Sequence, residues 1–274
     1  MFEGELKDGK RNGHAIEKFE DGNIFDGEYQ NDERNGHGIF KTEDGYVFEG
    51  KFKDGERNGH GIEKYSDGTV YDGEYKNGKK NGHGIFKLFN GDEYEGEFKD
   101  NLYNWHGIYK YNNGDIYEGD FKDDKMTGYG ILKFIDGDIY EGEYRNGKNW
   151  GNGIYKSKNG DIYEGEYKEN KRNGYGIYYW NNGDIYEGEF KNGNMNGFGI
   201  YEYSNGDIYE GEFKNHKKNG YGIFIIKNFD ILEGKWREIN VNEYKEYEKD
   251  KKKEGFFEKD KFININSEII ERII

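Results

Sequence analysis

One phrase constrains this chain more than anything else in it. NGDIYEGEF stands at residues 182–190 and again at 205–213, with near-copies NGDIYEGEY at 159–167, DGDIYEGEY at 136–144 and NGDIYEGDF at 113–121. Aligned on its aromatic-acid-Gly core, the phrase starts at Phe2, Phe25, Phe48, Tyr71, Tyr94, Tyr117, Tyr140, Tyr163, Tyr186 and Tyr209, always 23 residues apart. An eleventh start at Leu232 keeps Glu233, Gly234 and Trp236 and then loses the pattern. Strict self-similarity at such a period means one structural unit used ten times, followed by a degenerate eleventh.

The residues within a unit say what that unit is. YEGEFK at 186–191 alternates aromatic, acid, Gly, acid, aromatic, base, the period-two signature of a strand. NGNMNG at 192–197 reads as a turn, FGIYEY at 198–203 as a second strand and SNGD at 204–207 as another turn. A crossover helix does not fit beside two strands in so short a repeat. The expected fold is therefore all-β: an elongated single-sheet antiparallel meander, a solenoid of stacked hairpins over residues 1–236. At ~4.8 Å per strand, twenty strands would run roughly 90–100 Å. A lone hairpin is marginal in water, so each copy is expected to be held by its neighbours.

Gly follows the first acid at Gly4, Gly27, Gly50, Gly73, Gly96, Gly119, Gly142, Gly165, Gly188 and Gly211. Gly weakens a strand, so its return here is expected to be space for an aromatic ring to lie over the missing side chain. With 44 Gly, 26 Tyr, 19 Phe and few aliphatics, rings are the expected buried mass. No Pro and no Cys occur, which removes disulfides and thiolate chemistry. The formal net charge of −15 opposes nonspecific binding to nucleic acid. No apolar run is long enough for a membrane-spanning helix, and no signal peptide is visible, so a cytoplasmic location is expected.

The pattern YEGEF-K-NG-x-x-NG-x-GIY-x-x-x-NGD resembles the MORN repeat (membrane occupation and recognition nexus), and the resemblance covers residues 2–236. It departs from many members of that family in having no Pro before the closing Asn-Gly. The resemblance implies a MORN-only protein: a non-catalytic scaffold or adaptor without cofactor or metal, binding protein partners at a cytoskeletal or membrane-associated structure. The alternative it implies is direct binding to phosphoinositides or anionic membrane.

Several features ask for a role. The acids flanking each Gly, followed by bases such as Lys53, Lys76, Lys122 and Lys191, are expected to form a cross-strand ladder of ion pairs. Catalysis needs one distinct site, whereas this pattern makes equivalent ones. His14, His37, His60, His83 and His106 share one repeat position, which later holds Tyr129, Asn152, Tyr175, Phe198 and Tyr221. That exchange suggests a packing position for a flat side chain and not a metal ladder. Hairpin loops carry Lys10, Arg11, Lys79, Lys80, Lys171, Arg172, Lys217 and Lys218, a basic edge that is either solvated or in contact with anionic lipid. Leu102, Tyr103, Trp105, Met126 and Trp150 are large apolar residues at loops near the middle of the array, the candidate protein-binding patch. Residues 237–274 are expected to form a mainly helical C-terminal cap, and an open first strand or the C-terminal end offers edges for a homo-oligomer.

Overall fold

The computed structural model of the chain describes residues 1–227, together with the backbone of 231–240 and 261–262. Twenty strands, from β1 (Phe2–Lys7) to β20 (Lys217–Ile225), make one antiparallel meander, two strands per repeat. β21 (Ile231–Asn240) continues it and pairs with the two-residue β22 (Lys261–Phe262). Most of the expected helical cap lies outside the described residues; its described stretches, 237–240 and 261–262, are extended strand. The strands belong to two compact units, residues 1–135 with 144–147, and residues 136–143 with 148 onward.

The ninth repeat shows the plan. β17 (Ile185–Lys191) turns into β18 (Asn194–Glu202) through Asn192 and Gly193 alone, both at positive φ (52° and 92°). That is the two-residue primed hairpin turn that Asn-Gly favours, because its twist matches the strands it joins. The turn is therefore two residues long, not the six expected, and the rest of NGNMNG is strand. The register then slips: Gly188 pairs with Gly199 but Phe190 with Met195, so Glu189 faces three residues, Asn196, Gly197 and Phe198. Gly197 occupies the left-handed region at this bulge (φ 83°), where a side chain would be strained.

In the seventh to tenth repeats the acid after the first-strand Gly serves this bulge. Glu189 accepts the Phe198 backbone N–H at 3.1 Å, and Glu143, Glu166 and Glu212 accept those of Asn152, Tyr175 and Tyr221 at 3.0, 2.8 and 3.3 Å. The expected ion-pair ladder is not what these carboxylates build. Lys53, Lys76, Lys122 and Lys191 join no ion pair among the described residues. A charged acceptor on an otherwise orphaned N–H is the stronger use of the group.

The space at Gly is filled as expected, and by the ring two residues earlier. A Cβ on Gly188 would stand 2.7 Å from the Tyr186 hydroxyl, and one on Gly199 would stand 2.5 Å from the same ring. Lying over both glycines, the Tyr186 hydroxyl donates to the Glu189 carbonyl at 3.0 Å. Tyr71, Tyr94, Tyr117, Tyr140, Tyr163 and Tyr209 repeat this bond. Edge-to-face contacts then link repeat to repeat. In the second unit Tyr163–Phe190, Phe190–Tyr186, Tyr186–Phe213 and Phe213–Tyr209 have centroids 5.0, 5.2, 4.9 and 5.2 Å apart. In the first unit Phe25–Phe52, Phe48–Tyr75, Tyr71–Phe98 and Tyr94–Phe121 do the same at 5.1, 5.2, 5.0 and 5.2 Å. Such pairs are each worth about 0.5–1.5 kcal/mol beyond area burial.

Both margins of the sheet are stapled. At one margin the Asp of NGD accepts the backbone N–H of the next repeat's turn: Asp92 from Asn112, Asp161 from Asn181 and Asp184 from Ser204, at 2.8, 2.9 and 2.8 Å. At the other, hairpin tips reach back to the preceding repeat. Asn101 and Asn170 accept from the N–H of Lys80 and Asn149 at 2.8 and 2.7 Å, while Gly55 and Gly193 donate to the carbonyls of Arg34 and Arg172.

Candidate functional site

Alternation along each strand gives the sheet a ring-lined face and an opposite, exposed face. Because the second strand starts right after a two-residue turn, its second residue points onto the rings. In successive repeats this position holds Arg11, Arg34, Arg57, Lys80, Tyr103, Met126, Asn149, Arg172, Met195 and Lys218. Arg11 stacks over Tyr29 at 4.6 Å, Arg172 over Tyr178 at 4.9 Å, Lys80 over Phe86 at 4.1 Å and Lys218 over Phe224 at 4.3 Å. So the expected basic edge divides. Lys10, Lys79, Lys171 and Lys217 are exposed, whereas Arg11 and Arg172 are half-buried and Lys80 and Lys218 buried on the aromatic face.

The five middle-loop residues also divide. Tyr103 stacks on Tyr94 with centroids 3.9 Å apart, which places it on the ring-lined face. Met126 holds the same repeat position and pairs with Phe121. Leu102 pairs with Lys99 and is exposed. Trp105 is 55% exposed and lies with its ring centroid 5.9 Å from Lys99 Nζ. It also takes the place of the bulge glycine and holds φ 57°, the left-handed conformation that glycine adopts elsewhere in the row. Trp150, in the second unit, is half-buried with Lys168 Nζ 5.9 Å from its ring.

The histidine row corrects a second expectation. His14 and His60 have side chains 65% and 62% exposed on the face away from the rings, with Nε2 at 2.9 and 2.8 Å from Asp26 and Asp72. Tyr129, Tyr175, Phe198 and Tyr221 at the same position are exposed too. The position is a surface row and not a packing position, because the bulge pushes it outward.

One polar cluster that sequence reasoning missed sits on the ring-lined face of the first unit. Glu63, nearly fully buried, accepts from the hydroxyls of Tyr46 and Tyr65 at 2.7 and 2.6 Å. It also pairs with Arg57 and, at 3.2 Å, with Lys80. Burial works against the Glu63 charge, but the Tyr65 and Tyr46 hydroxyls with Lys80 and Arg57 outweigh it and hold the carboxyl below its ordinary range. Burial pushes Lys80 down, opposed by Glu63. Burial likewise pushes Lys218 down to about 7, opposed by Asp207. The signal for the cluster is a Glu at a repeat position that is otherwise mostly aromatic, at Glu17 and Glu63.

Comparison with curated proteins gave no match. Among solved structures the chain is similar to the wild-type TCP10 domain of Danio rerio CPAP, at 10% identity, over 80% of this chain and 93% of that one, with a TM-score of 0.28. It is similar to the SAS-4 (dCPAP) TCP domain of Drosophila melanogaster in complex with a proline-rich motif of Ana2, at 14% identity, over 64% and 83%, with a TM-score of 0.28. Virginiamycin B lyase from Staphylococcus aureus matches at 17% identity over 84% and 71%, with a TM-score of 0.15. Scores this low carry no argument about this chain. The family model is specific: it matches ten consecutive MORN repeats, at 2–24, 25–45, 48–70, 71–93, 94–116, 117–139, 140–162, 163–185, 186–208 and 209–231. With its glycine-seated rings and bulged hairpins repeated in that register, the chain belongs to the MORN repeat family.

Proposed function

We propose that the chain is a non-catalytic scaffold that binds protein partners through its repeat surface, at a cytoskeletal or membrane-associated structure in the cytoplasm. The observation that carries this reading is Trp105. A large aromatic side chain stands more than half exposed at a left-handed backbone position where the other repeats place Gly. A side chain there costs about 1–2 kcal/mol. Strain kept alongside an exposed ring points to use of the ring, since strained residues cluster where a ligand is held. Exposed Leu102 on the same strand extends the surface.

The test is Trp105→Gly. It should raise unfolding stability by about 1 kcal/mol, because Gly adopts this backbone freely. It should also weaken partner binding at least tenfold in a quantitative pull-down with a cross-linked partner. Stabilisation with unchanged binding removes Trp105 from the interface and leaves the reading without its support. Membrane binding through Lys10, Lys79, Lys171 and Lys217 ranks second, because Arg11, Lys80, Arg172 and Lys218 turn inward onto rings and leave half of the candidate cations at the edge. Flotation with phosphoinositide vesicles that persists in Trp105→Gly would favour it.

A further inference from the structure

The cations on the ring-lined face of the first unit are not equally satisfied. Arg11 meets the Glu17 carboxylate at 2.8 Å, and Arg57 and Lys80 both meet Glu63. In the first and third repeats the carboxylate stands six residues after the arginine. In the second repeat that place is taken by Phe40. Arg34 accordingly lies in a box of rings, its guanidinium carbon 4.6, 5.0, 5.4 and 6.0 Å from the centroids of Phe25, Phe40, Phe19 and Phe52. Its cross-strand partner Tyr29 gives its hydroxyl to the Glu17 carboxylate at 2.5 Å. Among the described residues Arg34 has no ion pair.

A cavity of about 370 Å³ opens beside this guanidinium, lined by Arg34, Phe40, Tyr46, Phe48, Phe52 and Arg57. Glu56 also lines it, with its side chain exposed to solvent. The cavity thus combines aromatic walls with a charge excess. Of the charged groups that line it, Arg34 and Arg57 stand against the solvent-exposed Glu56 alone, and Arg57 is already paired with Glu63 behind it.

We propose that this cavity is a binding site for a carboxylate carried beside an apolar side chain on a partner polypeptide, with Arg34 as the fork that receives it. The ligand carboxylate takes the place that Glu17 and Glu63 fill from within the chain in the flanking repeats. Arg presents paired N–H donors in the geometry a carboxylate accepts, and the surrounding rings exclude competing water. Those rings also receive the apolar neighbour and disfavour a more strongly hydrated dianion such as phosphate. The site is separate from the Trp105 surface, so its failure and that of the scaffold reading are distinguishable.

The full-length chain is titrated by NMR with acetyl-Phe-Glu-Phe-amide, with its Gln counterpart and with inorganic phosphate. The acidic peptide should produce saturable shifts at Arg34, Thr42 and Gly55, and bind at least tenfold more tightly than the Gln peptide or phosphate. Arg34→Gln should remove that preference. Phe40→Glu supplies Arg34 with the internal carboxylate of the neighbouring repeats. It should therefore leave the thermal midpoint equal or higher while weakening the acidic peptide at least tenfold. Equal binding of the two peptides, phosphate binding as tight as the acidic peptide, unchanged binding by Phe40→Glu, or unfolding of Phe40→Glu would each overturn the proposal.

Discussion

Consider adding a single methyl group at Gly188. A Cβ there would stand 2.6 Å from the Gly199 Cα, 2.7 Å from the Phe198 carbonyl oxygen and 2.7 Å from the Tyr186 hydroxyl. Two of the three obstacles are backbone on the paired strand, so no rotamer change relieves them. Either the hairpin opens by several tenths of an ångström or the Tyr186 ring leaves its seat. Loss of the seat removes the hydroxyl bond to the Glu189 carbonyl and the ring contacts to Phe190 and Phe213. At about 1 kcal/mol for the bond and 0.5–1.5 for each contact, the expected cost is about 2–4 kcal/mol. Overpacking of a tight site alone is worth about 1–3 kcal/mol. Gly193→Ala is the control: nothing lies within 4 Å of its added Cβ, and it carries only the strain of φ 92°. That control should cost about 1 kcal/mol. Urea unfolding followed by tyrosine fluorescence and far-UV circular dichroism would measure both. If the ring seat is the cause, Tyr186→Leu combined with Gly188→Ala should lose less than the sum of the single changes. A Gly188→Ala protein within about 0.5 kcal/mol of wild type, the scatter of an ordinary surface change, would refute the ring-seat argument.

Two other outcomes follow from the buried charges. Glu63→Gln leaves Arg57 and Lys80 without their carboxylate and should cost about 3 kcal/mol; a triple replacement of all three by Met should recover most of it, measured by the same unfolding curves. Lys218 has a folded pKa near 7 against an ordinary 10.5, so above pH 7 the unfolded chain holds a proton that the folded chain has released. Stability should therefore rise with pH from about 7 towards 10, by roughly 1–2 kcal/mol between pH 7 and 9, and Lys218→Met should flatten that slope; a wild-type curve parallel to the mutant's would contradict it.

The strands and their order are legible in the sequence because alternation and a constant step are local signals. The ring seat is legible as well, since Gly between acids weakens a strand unless a neighbouring group fills the space it leaves. What hid was the bulge. Reading Asn192–Gly197 as one loop discards the fact that Asn-Gly alone closes the hairpin, and it removes Met195 from its strand. A slip of register moves side chains to the opposite face. That is why Arg11, Lys80 and Arg172 read as a solvated edge yet lie on rings, and why His60 reads as packing yet stands in solvent. The staple was hidden for another reason. Asp in a turn already has a local role, and nothing local shows that Asp184 also accepts from the following repeat.

Those margin staples make the array directional. Asp161 serves Asn181 and Asp184 serves Ser204, each reaching one copy towards the C-terminus, while Asn101 and Asn170 reach one copy towards the N-terminus. A copy is thus a link with a distinct socket and plug on each margin, and like links fit one another in one orientation only. Removing or duplicating a whole 23-residue link leaves every remaining plug in a socket, whereas a cut of any other length leaves one empty. Chain length in such a molecule changes by whole links, so unequal recombination can lengthen or shorten it without inventing a new contact, and a partner that spans a fixed number of links can count them.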